Sequence, residues 1–267
     1  MSVWCPFGAS TLQNMDVLGP EPVGSPIATV EQLRHGMGYP NSPIPRIRDW
    51  SIANGVYRPA YYTAPSVFVE SPEPEQPADW DEVWNRALAL TSAPVLLRDA
   101  QGRPLNPAGR TGISGRGRLW NWGPNLSGDA IVTWDTPAGP AILLIRRSDT
   151  GQLAVPGGFV EGDEHSLVTA QRELKEETGI RLDMAARATL FFRGIADRAV
   201  RNTDHAWIES TAYHIHLSEA EAARLHPVAG DDAPEVVPIL LRDVDLTQLS
   251  DNHADYLTEI KRRLIPA

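Results

Sequence analysis

The sequence predicts an α/β domain with a mixed sheet, preceded by an irregular N-terminal region. From Asn125 onward, short apolar runs alternate with helical patterns, and strands and helices mixed in that order imply layered packing. A helix within this region is clearly punctuated, by an acidic loop ahead of Glu164 and by Gly179 behind it. Before Asn125 periodicity is intermittent, and most of the 23 prolines lie ahead of residue 110 or in connections. The 267 residues suffice for one large domain or two small ones. We divide them into an arm (1–38), a cap region (39–125) and an α/β domain (126–267).

In chain order, residues 1–38 are Gly- and Pro-rich, with only Ala28–Arg34 (ATVEQLR) helical in pattern. Tyr39–Val69 reads as extended and aromatic, and SPEPEQPAD as a solvated loop. Trp80–Leu90 places Trp80, Val83, Trp84, Ala87 and Leu88 at helical spacing, a core stripe rather than a cofactor box. Val95–Arg98 predicts a short strand and Asp99–Gly102 a turn. Arg103–Asn125 is rich in glycine and arginine. Such a loop can cradle phosphates through backbone N–H groups, but composition alone favours an irregular connection packed by Trp120 and Trp122. Ala130–Trp134 and Ala141–Arg147 predict strands around a TPAGP turn, with Leu153–Val155 a further short strand. The helix that begins near Glu164 or His165 buries Leu167 and Leu174, and Gly179 ends it where positive φ is cheap only for glycine. Leu190–Gly194, Ala206–Leu217 and Val236–Leu241 read as strands. Ser218–Leu225 is a short helix capped by Ser218, and Asn252–Leu264 a final amphipathic helix.

A net charge of −10 argues against non-specific nucleic-acid binding. The single cysteine, Cys5, excludes an intramolecular disulfide and lacks the pattern of a nucleophile. No apolar run reaches the ~18 residues of a membrane span, and the opening MSVWCPFGAS does not read as a secretory signal. The expectation is a cytoplasmic protein, read as a monomer with a homodimer left open.

Chemistry concentrates between Val155 and Ile180. Glu173, Glu176 and Glu177 fall within roughly 100° of one another on a helix. Like charges so crowded repel, and a hard divalent cation such as Mg²⁺ relieves the repulsion. These glutamates are the expected catalytic and metal-ligating residues, with Mg²⁺ the expected cofactor and Mn²⁺ a substitute. Arg172, four residues before Glu176, is expected to hold a carboxylate in place. Gly157 and Gly158 keep the preceding loop tight. The competing reading is a solvated acidic helix face.

From Gly158 the chain runs G, five residues, Glu164, seven residues, Arg172-Glu173-Leu174, one residue, Glu176-Glu177, one residue, Gly179-Ile180. This agrees at every defined position with GX5EX7REUXEEXGU, U being aliphatic, and on it the chain resembles the Nudix hydrolases. The resemblance implies an α/β/α sandwich with a mixed sheet, and metal-dependent hydrolysis of a nucleoside diphosphate joined to another moiety. The blocks NPAGRTG, GRG, WGPN, YYTAPSV, RNTDHAWIES and AGDDA further resemble the mitochondrial-type ADP-ribose pyrophosphatases and the related domain of the ADP-ribose-gated melastatin-type channels. That similarity covers roughly Tyr39 to the C-terminus and makes the Gly/Arg stretch a family feature, of architecture or of site. Pro65 departs from the relatives' YYTAPSV block.

The similarity implies ADP-ribose as the small-molecule substrate, split to AMP and ribose 5-phosphate. Arg201, Asn252 and His253 match positions that contact ADP-ribose in this group, and Asn202 and Asp204 of the RNTD block join them as expected substrate-binding residues. A surface ion pair for Arg201 and a helix cap for Asn252 are the alternatives. Glu176, Glu177, Glu209, Asp231 and Asp232 all stay eligible as general base. His214 and His216 share one strand face and read as packed or solvent-facing rather than metal-ligating. Rival readings are a Nudix enzyme acting on NADH or a nucleotide sugar, and a silent ADP-ribose-binding module. The intact Arg172-Glu173-Leu174 core weighs against the silent module.

Overall fold

The computed structural model describes residues 28–230 and 235–265. Cys5 and the expected base candidates Asp231 and Asp232 lie outside them.

The chain enters through helix α1 (Val30–Gly36), started by a capping box in which Thr29 and Gln32 satisfy each other's backbone N–H groups. Strand β1 (Ala60–Thr63) leads directly into helix α2 (Pro65–Glu70), where an extended stretch was expected. Pro65 explains the difference: its fixed φ suits the first helical turn, where a missing N–H costs nothing. Helix α3 (Trp80–Leu90) is capped by Asp79 and buries Val83 and Ala87, while Leu88 of the expected stripe stays 52% exposed. The ribbon of β2 (Leu97–Arg98) and β3 (Pro104–Leu105) follows, then β4 (Ile113–Gly117), which pairs in parallel with β1.

The Gly/Arg stretch is architecture. Arg116 is fully buried and donates to Ser71 Oγ and to the carbonyls of Glu73 and Trp120, while pairing with Glu75. Arg110 stacks on Trp50 at 4.7 Å and on Tyr57 at 5.5 Å, which compensates its desolvation.

The main sheet is formed by β5 (Gly123–Trp134), β6 (Ala141–Arg146), β7 (Leu153–Ala154), β8 (Gly157–Phe159), β9 (Thr189–Ile195), β10 (Ala206–Leu217) and β11 (Glu235–Leu240). Its order is β11-β6-β5-β10-β9, with β7 added to β6 and β8 to β5. Only β5 and β10 run parallel, making the sheet mixed. Helix α4 (Ser166–Thr178) covers one face and α7 (His253–Leu264) the other, with the short α5 (Met184–Arg187) and α6 (Glu219–Ala222) on the α4 side. The two-residue period of a strand sorts the core. Ala130, Val132 and Leu143 pack with Leu174 of α4, while Ile131, Ile142 and Leu144 pack with Leu257 and Ile260 of α7. The result is the α/β/α sandwich.

Strand β5 meets β6 only at Thr133–Trp134, and its earlier residues Ser127–Asp129 pair instead with β8. The two strands diverge, and the gap between them opens beside the N-terminus of α7.

Candidate active site

The loop entering α4 is built against the strand behind it. Gly158 pairs with Gly128, and a Cβ at Gly158 would lie 2.2 Å from Glu173 Oε1. A Cβ at Gly157 would lie 2.3 Å from Asp129 Oδ1. Absent side chains here make room for carboxylates. The Gly157 N–H donates to Glu177 Oε2 at 2.9 Å. At the far end, Gly179 stops α4 with φ 69°.

Arg172 organises the acidic face. It donates to Glu164, to Glu173 Oε1 at 2.8 Å, to Glu176 Oε2 at 3.0 Å and to the Phe159 carbonyl at 3.0 Å. One guanidinium thus fixes three carboxylates and the loop, the work its planar fork suits. Helical spacing then separates the glutamates. Glu173 and Glu177 turn into a cleft of about 300 Å³, whereas the Glu176 side chain sits at the edge, 52% exposed.

Asp129 of β5 faces the same cleft. Burial, despite the hydrogen bond from Ser210, pushes its carboxyl up to about 7. Ser210 also accepts from the Tyr256 hydroxyl at 3.1 Å. Burial lifts Glu177 to about 8 against the Gly157 N–H, with the charge of Glu173 adding to the rise, and burial raises Glu173 too.

A second wall carries Arg147 and Arg201, each beside a carboxylate. Arg147 makes a bidentate pair with Asp149, at 2.9 and 2.7 Å. Arg201 lies over the Phe159 ring at 5.0 Å and 3.9 Å from Asp251. Burial, then repulsion from Arg147, lowers its pKa. Asp251 and Asp149 offset that cost only in part, which leaves Arg201 able to take a further anion. Asn252 and His253 complete this wall at the start of α7. Asn252 provides no side-chain cap: its Oδ1 accepts from the Arg198 N–H and its Nδ2 donates to Asp197. His253 accepts from the Val155 N–H and stacks on Tyr256, and burial depresses its pKa to about 4, so it is neutral at pH 7.

Three expected residues lie elsewhere. Asn202 spends its side chain on the Ala196 carbonyl and the Ile208 N–H. Asp204 accepts from the Thr111 N–H and hydroxyl and from Tyr57, an internal knot away from the cleft. Glu209, an expected base candidate, is held by Thr91, Ser92 and the Trp207 indole. All three answer buried donors that would otherwise be unsatisfied. His214 and His216 flank Thr133 Oγ1 at 2.8 Å each. Sequence reasoning missed Asp129, Arg147 and Asp251. The available signals were a lone acid leading an apolar strand, an arginine ending one, and an acid beside Asn252.

The donor set on the acidic wall fits a hard divalent cation: carboxylate oxygens whose crowding and burial raise their proton affinity. Among the described residues no three His, Cys, Asp or Glu side chains are already drawn together as a ligand cluster, since Arg172 holds Glu176 at the edge. No helix among them is long and apolar enough to cross a membrane.

Comparison with known proteins identifies the family. The NUDIX domain model matches residues 126–267, and the model of a NUDT9-like N-terminal domain matches residues 45–123. The putative nudix hydrolase 6 of Caenorhabditis elegans is 38% identical over 60% of this chain and 62% of its own length. A transient receptor potential cation channel subfamily M member-like 2 of Nematostella vectensis is 32% identical over 70% of this chain but only 14% of its own length. The mitochondrial ADP-ribose pyrophosphatase of Rattus norvegicus is 31% identical over 74% of this chain and 69% of its own. The chain therefore spans less than two thirds of the first two relatives. With the glutamate box folded as a loop and helix against a mixed sheet, and the domain match running over that whole region, the chain belongs to the Nudix hydrolase family.

Proposed function

We propose that this protein hydrolyses the pyrophosphate of ADP-ribose to AMP and ribose 5-phosphate in a Mg²⁺-dependent reaction, for which Mn²⁺ can substitute. The observation that carries the reading is a cleft lined by the carboxylates Glu173 and Glu177 together with the arginines Arg147 and Arg201. Its volume of about 300 Å³ is on the scale of a small-molecule site. The similarity to an ADP-ribose pyrophosphatase supports the choice of substrate. In this reading residues 39–125 form a cap on the 126–267 hydrolase domain.

Glu173, Glu176 and Glu177 would hold the metal, which when bound supplies Lewis-acid neutralisation of the pyrophosphate charge. Arg201 and Arg147 bind phosphate oxygens, and Phe159 keeps the Arg201 guanidinium in place. Neutral His253 and Asn252 flank the ribose or phosphate. Of the carboxylates eligible to accept the proton of the attacking water, Glu177 alone among the described residues lines the cleft. Arg172 touches no reacting atom in this scheme and orients the glutamates that do.

The test is to incubate the protein with Mg²⁺ and, separately, ADP-ribose, NADH, ADP-glucose and dinucleotide polyphosphates, and to quantify AMP. ADP-ribose should have the highest kcat/KM. Preference for another member of the panel would refute the substrate assignment, and no turnover of any would refute the enzyme reading.

A further inference from the structure

The connection between β9 and β10 brings Arg201 to the cleft, and its own turn, closed by Asn202 N–H on the Ala199 carbonyl at 3.1 Å, leaves the carbonyls around Arg201 to be satisfied from elsewhere. The carbonyls of Val200, Arg201 and Asn202, three in succession, are all taken by side chains from one distant segment. Arg34 Nε donates to Val200 O at 3.0 Å and Arg34 Nη2 to Asn202 O at 2.8 Å, while Nη1 reaches Thr111 O at 2.8 Å. The Tyr39 hydroxyl donates to Arg201 O at 3.0 Å. Arg34 is 5% exposed and Tyr39 3% exposed. A cation buried on neutral carbonyls is costly, so general stability is a poor reason for placing it there. Both residues precede the stretches matched by the two domain models, which begin at residues 45 and 126.

The segment is anchored independently of these bonds. Its helix is started by the Thr29–Gln32 capping box, and Met37 and Tyr39 pack with Ile113 and Val200. From the other side the lead-in to α7 grips the same connection by its amides: Val200 N–H donates to Asp251 Oδ1 at 3.3 Å and Arg198 N–H to Asn252 Oδ1 at 3.1 Å. The loop is clamped carbonyl side and amide side.

We propose that Arg34 and Tyr39 are positioning residues that hold the Arg201 guanidinium at the substrate's pyrophosphate. This rests on the reading of Arg201 as a phosphate-binding group. The clamp acts on substrate affinity, because it touches the arginine wall and leaves the glutamate wall alone. A lysine cannot replace Arg34, since one ammonium does not span the carbonyls the planar fork joins.

The test compares Arg34→Met, Arg34→Lys, Tyr39→Phe, Arg201→Met and the Arg34→Met/Arg201→Met double variant of the full chain, with kcat and KM for ADP-ribose at saturating Mg²⁺. Arg34→Met should raise KM about tenfold with kcat within about threefold, less than the ~100-fold that a full ångström of misplacement at the reacting atoms costs. Arg34→Lys should not rescue it. In the Arg201→Met background the same change should raise KM less than about twofold, since residues acting through one another are not additive. An unchanged KM, or an equal effect in both backgrounds, overturns the proposal. Tyr39→Phe removes one hydroxyl and keeps the packing, so a folding defect in the Arg34 variants does not end the test. If the wild type does not hydrolyse ADP-ribose, the functional reading fails on its own, and the clamp is read from hydrogen exchange. Tyr39→Phe and Arg34→Met must then speed exchange of the 198–203 amides relative to α4, and unchanged protection overturns the clamp.

Discussion

Replacing Gly158 with alanine separates what the glycine does for folding from what it does for chemistry. Its backbone lies outside the left-handed region, so alanine adopts it without strain, and the question reduces to space. The new Cβ would stand 2.2 Å from Glu173 Oε1 and 2.4 Å from its Cδ. Comfortable contacts begin at ~3.5 Å, so the carboxyl must retreat by more than ~1 Å. The yielding group is the end of a side chain, and the folding cost is limited to weakening the 2.8 Å Arg172–Glu173 bond. A bond of that kind contributes ~1.5–3 kcal/mol when buried and less at this partly exposed site, so a loss of ~1 kcal/mol is expected. A displacement of ~1 Å at the reacting centre costs on the order of 100-fold in rate. The expected result is near-native thermal stability with kcat on ADP-ribose down about 100-fold, measured by AMP release beside a melting curve. Gly36→Ala, where nothing lies within 4 Å, is the control for both readouts. Activity of Gly158→Ala within about twofold of wild type would refute the placement of Glu173 at the chemistry.

Gly128→Ala should do the reverse. Its Cβ would meet the Ser166 carbonyl at 2.1 Å, backbone that cannot swing away, so it should lower the melting temperature sharply and reduce yield of folded protein. Asp204→Ala should cost ~2–4 kcal/mol in denaturant unfolding by orphaning the Thr111 and Tyr57 donors, and leave KM for ADP-ribose within about twofold; a large KM rise would return Asp204 to the substrate site. Acidification draws opposite responses from two sets of buried groups: the raised carboxyls of Asp129 and Glu177 favour the folded state as pH falls, and two buried histidines oppose it. Burial holds His214 and His253 at about 4 against an ordinary 6.5, so at these two positions the unfolded chain binds more protons in that window. The histidine share of stability, present above pH 6.5, is lost as pH falls towards 4, and the difference in urea unfolding between the wild type and His214→Gln across that range reads the part due to His214.

The fold was legible where local signals sufficed. The α4 helix and its end at Gly179 follow from period and punctuation, and the alternating core of β5 and β6 from their apolar runs. Helix α2 was hidden because the Tyr-rich run before Pro65 dominates the local composition, while the proline's effect begins only at the following residue. The glutamate wall was legible because one helix carries it. Of the other wall, Arg201, Asn252 and His253 were reached only through the family resemblance, and Arg147 and Asp251 not at all, because β6, the β9–β10 connection and the α7 lead-in meet only through the sheet's order. Asp129 stands just before the expected strand Ala130–Trp134, and becomes a cleft residue on a strand only because β5 begins at Gly123. Asn202 and Asp204 adjoin Arg201 in sequence, yet in an irregular loop neighbouring side chains need not share a face, and theirs serve the interior.

The most direct test of the central claim is AMP release from ADP-ribose at saturating Mg²⁺ by the wild type and by Glu177→Gln, a near-isosteric change that removes the ionisable group and turns one acceptor oxygen into an NH2 donor. The account predicts equal amounts of AMP and ribose 5-phosphate from the wild type and a loss of at least about 100-fold in the variant, with folding intact. Near-wild-type turnover by Glu177→Gln would contradict it.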